Sequence, residues 1–512
     1  MTSASPVKAS PVKSGMVRKA TLGVMTLAVL NVTAVVSLRG LPAESVYGLT
    51  SIFYYLFAAV FFLIPVSIVA AELATGWPQK GGVFRWVGEA FGPRWGFVAI
   101  FLLWVESTIW FPTVLTFAWV SLAYVGPNQK WDAALSSNKI YTIVAVLVVY
   151  WAATFVTLRG VKSSSMISKW GGIIGTIIPA GILIVLGFIY LASGKPLQIQ
   201  VGWDKLIPDF SNFDNLVLAA GIFLFYAGME MNAIHVKDID NPNRNYPLAI
   251  LISSLLTVAI FVFGTLAIGF VVPQSQINLT QSLLVSYNDF FRIFGIPWAG
   301  SVIAIALFAG VLGGVTVWVA GPSAGLAVVG RAGYLPPFFQ KLNKNGVASN
   351  ILWLQGLIVT FVAIMFVILP SVQAAYQILS QLTVTLYLIM YLLMFSAGIH
   401  LRHTEPGTAR PYKVPGGESG MWIFAGAGLV GSMIAFVLSF VPPSQIAVGS
   451  PTTYVIILIA GNALFVAIPL LVYAARKPHW KTVEGSSDFE PFGWEVEGRS
   501  PSQVASSTKV KS

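Results

Sequence analysis

Residues 223–230 read FLFYAGME and place an acid, Glu230, inside an apolar run that extends from Leu216 to Ile234. An ionisable side chain at mid-membrane costs roughly 3 kcal/mol on insertion scales, and such residues usually face a cavity or a pathway. Gly228 loosens the helix at the same point because it has no side chain to restrict the backbone. The stretch therefore predicts an interrupted membrane helix that carries a functional carboxylate.

The composition of the chain is that of a membrane protein. Of its 512 residues, 56% are hydrophobic and only 10% are charged, whereas soluble proteins carry about 25% charged residues. The chain has no cysteine, which excludes disulfides, thiolate catalysis and cysteine metal sites. Its net charge of +11 lies in short loops between apolar blocks, which favours a lipid bilayer over nucleic acid as the partner.

Apolar blocks of about 20 residues, the length that crosses the hydrocarbon layer, recur along the chain. We therefore predict an all-α membrane protein with 12 transmembrane helices. The transmembrane domain covers 21–475, between a disordered N-terminal tail at 1–20 and a C-terminal tail at 476–512. The predicted spans, numbered 1 to 12, are 22–38, 47–71, 95–125, 140–158, 170–192, 215–234, 247–272, 297–328, 351–369, 375–399, 421–441 and 454–474.

The distribution of lysine and arginine predicts the orientation of these spans. The N-terminal tail and the loops after spans 2, 4, 6, 8 and 10 hold 18 of them, whereas the loops after odd-numbered spans hold 6. Loops rich in Lys and Arg stay on the cytoplasmic side. Both termini are therefore predicted to be cytoplasmic.

A second interruption is predicted in span 1, around Val36, Ser37, Arg39, Gly40 and Pro42. It lies five spans before the interruption in span 6, as a five-plus-five inverted repeat requires. The alternatives are an ordinary helix end in span 1 and close helix packing at the span 6 glycine. Peptide groups freed by two such breaks suit an amino acid, because N–H groups attract its carboxylate and carbonyls attract its ammonium group.

Four motifs resemble the loops of one superfamily, in the same order: Gly81–Gly96, Asn241–Ala249, Leu342–Val347 and Arg410–Gly417. They resemble the amino acid–polyamine–organocation superfamily, and the chain is most similar to its bacterial glutamate/γ-aminobutyrate antiporter group. The resemblance implies a LeuT-like fold with discontinuous helices 1 and 6 and with spans 11 and 12 appended. It also implies a bacterial inner-membrane protein that exchanges an external amino acid for an internal amine made by a decarboxylase, which consumes protons and supports acid resistance.

The resemblance also implies a substrate pocket. The span 6 glutamate of the group falls on Glu230, the span 8 tryptophan on Trp318, and two span 10 tyrosines on Tyr387 and Tyr391. For the tyrosines, which are four residues apart on one helical face, simple packing is the alternative. With the two breaks, the candidate substrate-binding residues are Val36, Ser37, Arg39, Gly40, Tyr226, Gly228, Glu230, Trp318, Tyr387 and Tyr391.

Two positions depart from the antiporter group. Its span 8 acid aligns with Gly314 and its span 1 tyrosine with Val36, so the solute stays open among glutamate, glutamine, a neutral amino acid and an amine. Some relatives carry a lysine in span 5 in place of a sodium ion, but residues 171–190 contain none. That absence favours exchange over the main alternative, a proton-coupled amino acid symporter of the same fold.

Glu106 and His235 are candidate pH sensors, each with a structural role as the alternative. The acidic and aromatic segment 488–497 either is solvated or, as in the antiporter group, forms a plug. We expect no catalytic residue, cofactor or metal site, since the chain has four histidines and no H-E-x-x-H motif. Interrupted helices favour a carrier over a channel or an enzyme.

Overall fold

The computed structural model describes residues 23–126, 128–160, 170–211, 213–233, 241–444, 446–482 and 489–498. Every regular element in these ranges is a helix, and the predicted tail at 1–20 lies outside them. Ten helices within the described ranges have the length and apolarity to cross a membrane. They are Gly48–Gly76, Pro93–Ala123, Lys139–Leu158, Trp170–Ala192, Arg244–Val271, Ala299–Tyr334, Ser349–Ile368, Val372–Thr404, Gly417–Ser439 and Pro451–Ala474.

These ten helices correspond to predicted spans 2–5 and 7–12, with ends that differ by a few residues. Side-chain caps fix some of the ends. The hydroxyl of Ser371 accepts a hydrogen bond from the N–H of Ala374 at 3.0 Å where span 10 begins. The hydroxyl of Ser450 caps span 12 in the same way, ahead of a proline in the first turn. Serine caps and first-turn prolines are typical helix starts, since the first N–H groups lack helical partners.

Spans 3 and 10 form the centre of the protein. In its most apolar 18-residue stretch, span 3 is 94% buried inside the protein, whereas the corresponding stretch of span 12 is only 17% buried. Span 3 packs against spans 8 and 10 and against a short helix, Val83–Phe91. Span 10 extends from Val372 to Thr404, beyond its predicted bounds. Its polar side chains Gln377, Ser380 and Gln381 are buried in the protein and do not face lipid.

Span 1 is broken near its middle. Its first half, Val24–Val35, ends at two residues with extended backbone, Val36 (φ −69°, ψ 119°) and Ser37 (φ −132°, ψ 114°). A short 3-10 turn, Leu38–Gly40, leads into the second half, Leu41–Ser45, and the two parts are bent by 45°. The prediction that span 1 ends near residue 38 is therefore wrong, because charged residues beyond the break lower the hydropathy while the helix continues.

Span 6 is broken as well. An eight-residue 3-10 segment, Phe213–Ala220, is followed by Gly221–Tyr226 and then, after two non-helical residues, by Met229–Ala233. At the break Ala227 is extended (ψ 154°) and Gly228 has φ +111°, a conformation that residues with a Cβ atom rarely adopt. The apolar helix here, Val217–Met231, is shorter than a full membrane span. The count of twelve spans and the inverted repeat stay predictions.

Candidate functional site

The carboxylate of Glu230 ties the break in span 6 to span 10. It accepts hydrogen bonds from the hydroxyls of Tyr387 and Tyr391, both at 2.5 Å, and from the N–H of Gly228 at 3.2 Å. That same N–H also lies 3.0 Å from the Tyr391 hydroxyl. The two tyrosine rings stack with centroids 4.7 Å apart, as expected for residues four apart in a helix. Glu230 is only 3% exposed, so three donors replace water around it.

The guanidinium of Arg39 lies at the break in span 1. It donates to the hydroxyls of Thr113 at 3.1 Å and Tyr376 at 3.3 Å. The rings of Trp110, Phe225 and Tyr376 surround its central carbon at 5.5, 5.2 and 6.0 Å, where aromatic faces attract a cation. No ion pair among the described residues includes Arg39, and its Nε is buried without a hydrogen-bond partner. Arg39 therefore has unused capacity to bind an anion.

A cavity of about 1010 Å³ connects the breaks to spans 3, 5, 8 and 10. It extends from Arg39 along the first half of span 1 to Met25, which is 61% exposed. Six of the sequence-predicted residues line it: Val36, Ser37, Arg39, Glu106, Trp318 and Tyr387. Gly40, Tyr226, Gly228, Glu230 and Tyr391 lie behind this lining.

Gly40 and Tyr226 shape the cavity indirectly. A Cβ atom on Gly40 would overlap the ring of Phe225, and that ring both lines the cavity and contacts Arg39. Tyr226 instead donates to the carbonyl of Tyr55 at 3.4 Å and packs against Phe261. The glycine thus allows spans 1 and 6 to approach each other closely beside their breaks.

The structure describes one of the two candidate pH sensors, Glu106, but not the other, His235. Glu106 is 3% exposed and lines the cavity. One of its carboxylate oxygens has no hydrogen-bond partner, so it does not make the full set of helix–helix hydrogen bonds that a purely structural acid would make. It is close enough to Arg39 and Glu230 to interact with their charges. His235 lies outside the described residues.

Sequence reasoning missed Trp110, Thr113, Phe225 and Tyr376, which surround Arg39. A signal for two of them was available, because Trp110 and Thr113 follow Glu106 by four and seven residues and share its face of span 3. This shared face could not be recognised as part of a site from the sequence, because only the structure shows that Arg39 lies opposite it. Arg39 itself is one of the predicted substrate-binding residues, and it lines the cavity while being only 2% exposed inside the bundle.

The C-terminal tail packs against the helix Val83–Phe91. Arg85 donates to the carbonyls of Glu490 and Pro491 at 2.6 and 2.7 Å. Glu89 accepts from the N–H of Gly493 at 3.0 Å, and burial raises the pKa of this carboxyl although the guanidinium of Arg85, 2.9 Å away, lowers it. Residues 489–498 do not line the cavity.

The aromatic residues of the tail fill the remaining space on this helix. The ring of Phe492 is 1% exposed and lies where a Cβ atom on Gly88 would be. The indole N–H of Trp494 donates to the carbonyl of Gly88 at 3.2 Å. The described part of the tail is thus held by both polar and apolar contacts.

A family model described as amino acid permease matches residues 22–461. The chain belongs to the amino acid permease family. The match covers both broken helices and every candidate residue named above. This permease is therefore a multi-pass membrane transporter, in agreement with its ten apolar helices in the described ranges.

Curated relatives of the permease include named antiporters. A glutamate/gamma-aminobutyrate antiporter of Lactococcus lactis is 32% identical over 87% of this chain and 88% of its own length. An uncharacterized transporter of Legionella pneumophila is 40% identical over 88% of this chain and 96% of its own. A probable agmatine/putrescine antiporter of Lactococcus lactis is 26% identical over 77% of this chain and 82% of its own. The permease is thus similar to exchangers of amino acids and to a probable exchanger of amines.

Proposed function

We propose that this permease is an amino acid/amine antiporter that works by alternating access, with the solute bound between the two helix breaks. The observation that carries the proposal is the cavity that exposes an arginine with an unpartnered Nε, Arg39, opposite an acid with an unpartnered oxygen, Glu106. A zwitterion brings an anion to the first and an ammonium group to the second. The two named antiporter relatives of similar length support exchange.

The breaks supply further ligands of the same polarity. The second part of span 1 begins at Leu38, and its first N–H groups have no helical acceptors, which makes the region attractive to a carboxylate. Span 6 ends a helical segment at Tyr226, where unpaired carbonyls attract an ammonium group. Trp318, with its ring 5.6 Å from that of Trp110, forms an aromatic wall that closes over the solute.

The altered positions Gly314 and Val36 both line the cavity. A Cβ atom on Gly314 would meet no other atom within 4 Å, so the site has room that a span 8 acid would fill. We expect a solute range broader than glutamate alone, and a decarboxylase as the enzyme that makes the exchanged amine. With both termini in the cytoplasm of a bacterial inner membrane, the cavity along the first half of span 1 opens inward.

The test is uptake of labelled amino acids into proteoliposomes with and without solute inside. Exchange predicts uptake only when an amino acid or its decarboxylated amine is trapped inside, because the empty carrier reorients poorly. Empty liposomes that take up solute in response to a proton gradient would support the symporter instead. Liposomes reconstituted without the protein serve as the control for uptake through any other route.

We also propose that the C-terminal tail restrains the transporter from the cytoplasmic side. Its contacts with Arg85, Gly88 and Glu89 fix the helix between spans 2 and 3. Span 3 carries Glu106 and Trp110 into the cavity, so a tail that holds this helix slows any movement of the cavity wall.

A further inference from the structure

Glu44 is a buried acid that lies outside the cavity. It belongs to the second half of span 1, Leu41–Ser45, and its exposed fraction is 0%. Neither carboxylate oxygen has a hydrogen-bond partner, and no ion pair among the described residues includes it. An ionised carboxylate held in this way carries a large free-energy penalty, so such groups become neutral.

Three helices converge on this carboxyl group. A Cβ atom on Gly221, at the start of a helical segment of span 6, would lie 3.9 Å from Oε1 of Glu44 and 4.0 Å from Nε2 of Gln381 in span 10. Gln381 is 2% exposed, and its own Oε1 is also without a partner. The acid therefore occupies the contact between the two halves of spans 1 and 6 that lie on the far side of the breaks from Met25.

Among the residues that the structure describes, the groups around Glu44 supply no compensating charge. Within that part of the chain, the titratable side chains close enough to interact with it are Tyr47, Tyr54, Tyr55 and Tyr226. Three of these hydroxyls have other partners. Tyr47 accepts from the N–H of Ala219 at 3.2 Å, Tyr55 pairs with Thr265 at 2.8 Å, and Tyr226 donates to a carbonyl.

A proton is the ligand that this site fits. A metal ion requires several oxygen ligands, and the described residues contain no group of three or more acidic, histidine or cysteine side chains that could hold one. A proton requires only the carboxylate itself. Once bound, it makes Glu44 neutral, which removes the cost of burying a charge.

We propose that Glu44 is a proton-binding site that is occupied when the outer halves of spans 1 and 6, Leu41–Ser45 and Gly221–Tyr226, are packed together. The site releases its proton when these halves separate and water enters. The inference rests on the proposed alternating-access cycle for this movement. Proton binding and closure of the outer side are then linked, so external acid favours the closed conformation. The burial of Glu44 depends on both half-helices. Its carboxyl group is therefore protonated when they are in contact and ionised when they are apart.

The test uses the absence of cysteine in the chain. Ser45 lies next to Glu44 and is 0% exposed, so a Ser45→Cys variant reacts with an impermeant maleimide only when the outer halves part. Maleimides react with the thiolate, whose fraction itself rises with pH, so the labelling rate is divided at each pH by that of a Trp203→Cys variant, whose position is 89% exposed in the loop between spans 5 and 6. In right-side-out vesicles without solute, this ratio should rise about tenfold or more as external pH increases from about 5 to about 8. One proton can shift such an equilibrium up to about tenfold per pH unit.

Adding Glu44→Gln should remove the pH dependence of this ratio and keep the ratio low, because glutamine stays neutral. The matched control is Asp132→Asn, which changes another acid that is 1% exposed with both oxygens unpartnered but sits in the helix Gln129–Ser136, outside the broken spans. This control should keep the pH dependence. The same pH dependence in Glu44→Gln, or a flat profile in Ser45→Cys alone, would overturn the proposal.

Glu44→Asp protects the test against a glutamine variant that fails to accumulate in the membrane. The shorter acid should keep the pH dependence but move its midpoint, and an unmoved midpoint would reject Glu44 as the group that titrates. Because labelling uses no solute, a flat labelling profile and a failed exchange assay are separate outcomes. The two proposals can therefore fail independently.

Discussion

Each helix break contains a charged side chain, an acid in span 6 and an arginine in span 1, and the two side chains have different surroundings. At the span 6 break, Glu230 is held by Tyr387, Tyr391 and Gly228, and it lies behind the cavity wall. At the span 1 break, Arg39 lines the cavity with only two hydroxyl partners and three aromatic rings. The comparison favours a structural role for the acid and, in the proposed mechanism, a solute-binding role for the arginine.

If Arg39 binds the solute directly, its loss should have the largest effect. Arg39→Ala should reduce exchange about 100-fold or more, because a hydrogen bond to a charged group is worth up to about 3 kcal/mol. Arg39→Lys keeps the charge but loses the planar fork, so it should recover only part of the activity. Solute concentration series in proteoliposomes measure the effect, and an unchanged apparent affinity in both variants would remove Arg39 from the site.

If Glu230 stabilises the break in span 6, removing one of its hydrogen-bond donors should weaken exchange by disturbing the structure of that break. Tyr391→Phe removes one hydrogen bond to the carboxylate and another from the Gly228 N–H, so we expect roughly a tenfold loss of exchange. Tyr412→Phe is the control, since the hydroxyl of Tyr412 is buried without a partner. Equal activity of the two variants would mean that the tyrosine–glutamate contacts are not needed.

The backbone of the span 6 break should be sensitive to a single methyl group. Gly228→Ala forces a residue with a Cβ atom to φ +111°, which costs about 1–2 kcal/mol, and should lower the thermal stability of the purified protein. Gly181→Ala in span 5, where no atom lies within 4 Å of the added Cβ, should leave it unchanged. A melting temperature that is the same for both variants would contradict the observed break.

The tail should have the smallest effect, because it touches neither break. Deletion of residues 489–512 should raise exchange several-fold at neutral pH by freeing the helix Val83–Phe91. Trp494→Ala, which loses a hydrogen bond to Gly88 worth about 1 kcal/mol, should raise it less. Transport rates that match those of the intact chain from acidic to neutral pH would argue against restraint by the tail.

The break in span 6 was easier to predict than the break in span 1. An acid and a glycine within an apolar run mark the first directly, and the resemblance added Tyr387 and Tyr391, which do contact Glu230. In span 1, an ordinary helix end was the alternative to a break, because hydropathy cannot tell a polar side chain in water from one buried against other helices. The second half of that helix, and Glu44 with it, was therefore missed.

The sequence by itself determined that the chain is an all-α membrane protein, the approximate positions of ten membrane helices and the places where glycine permits a break. These follow from local properties, namely apolar length, caps and backbone freedom. Only the tertiary structure decided that Arg39 meets span 3 and that Glu44 meets span 6. Such contacts join residues as far as 337 positions apart, as between Arg39 and Tyr376, and they depend on how the helices pack.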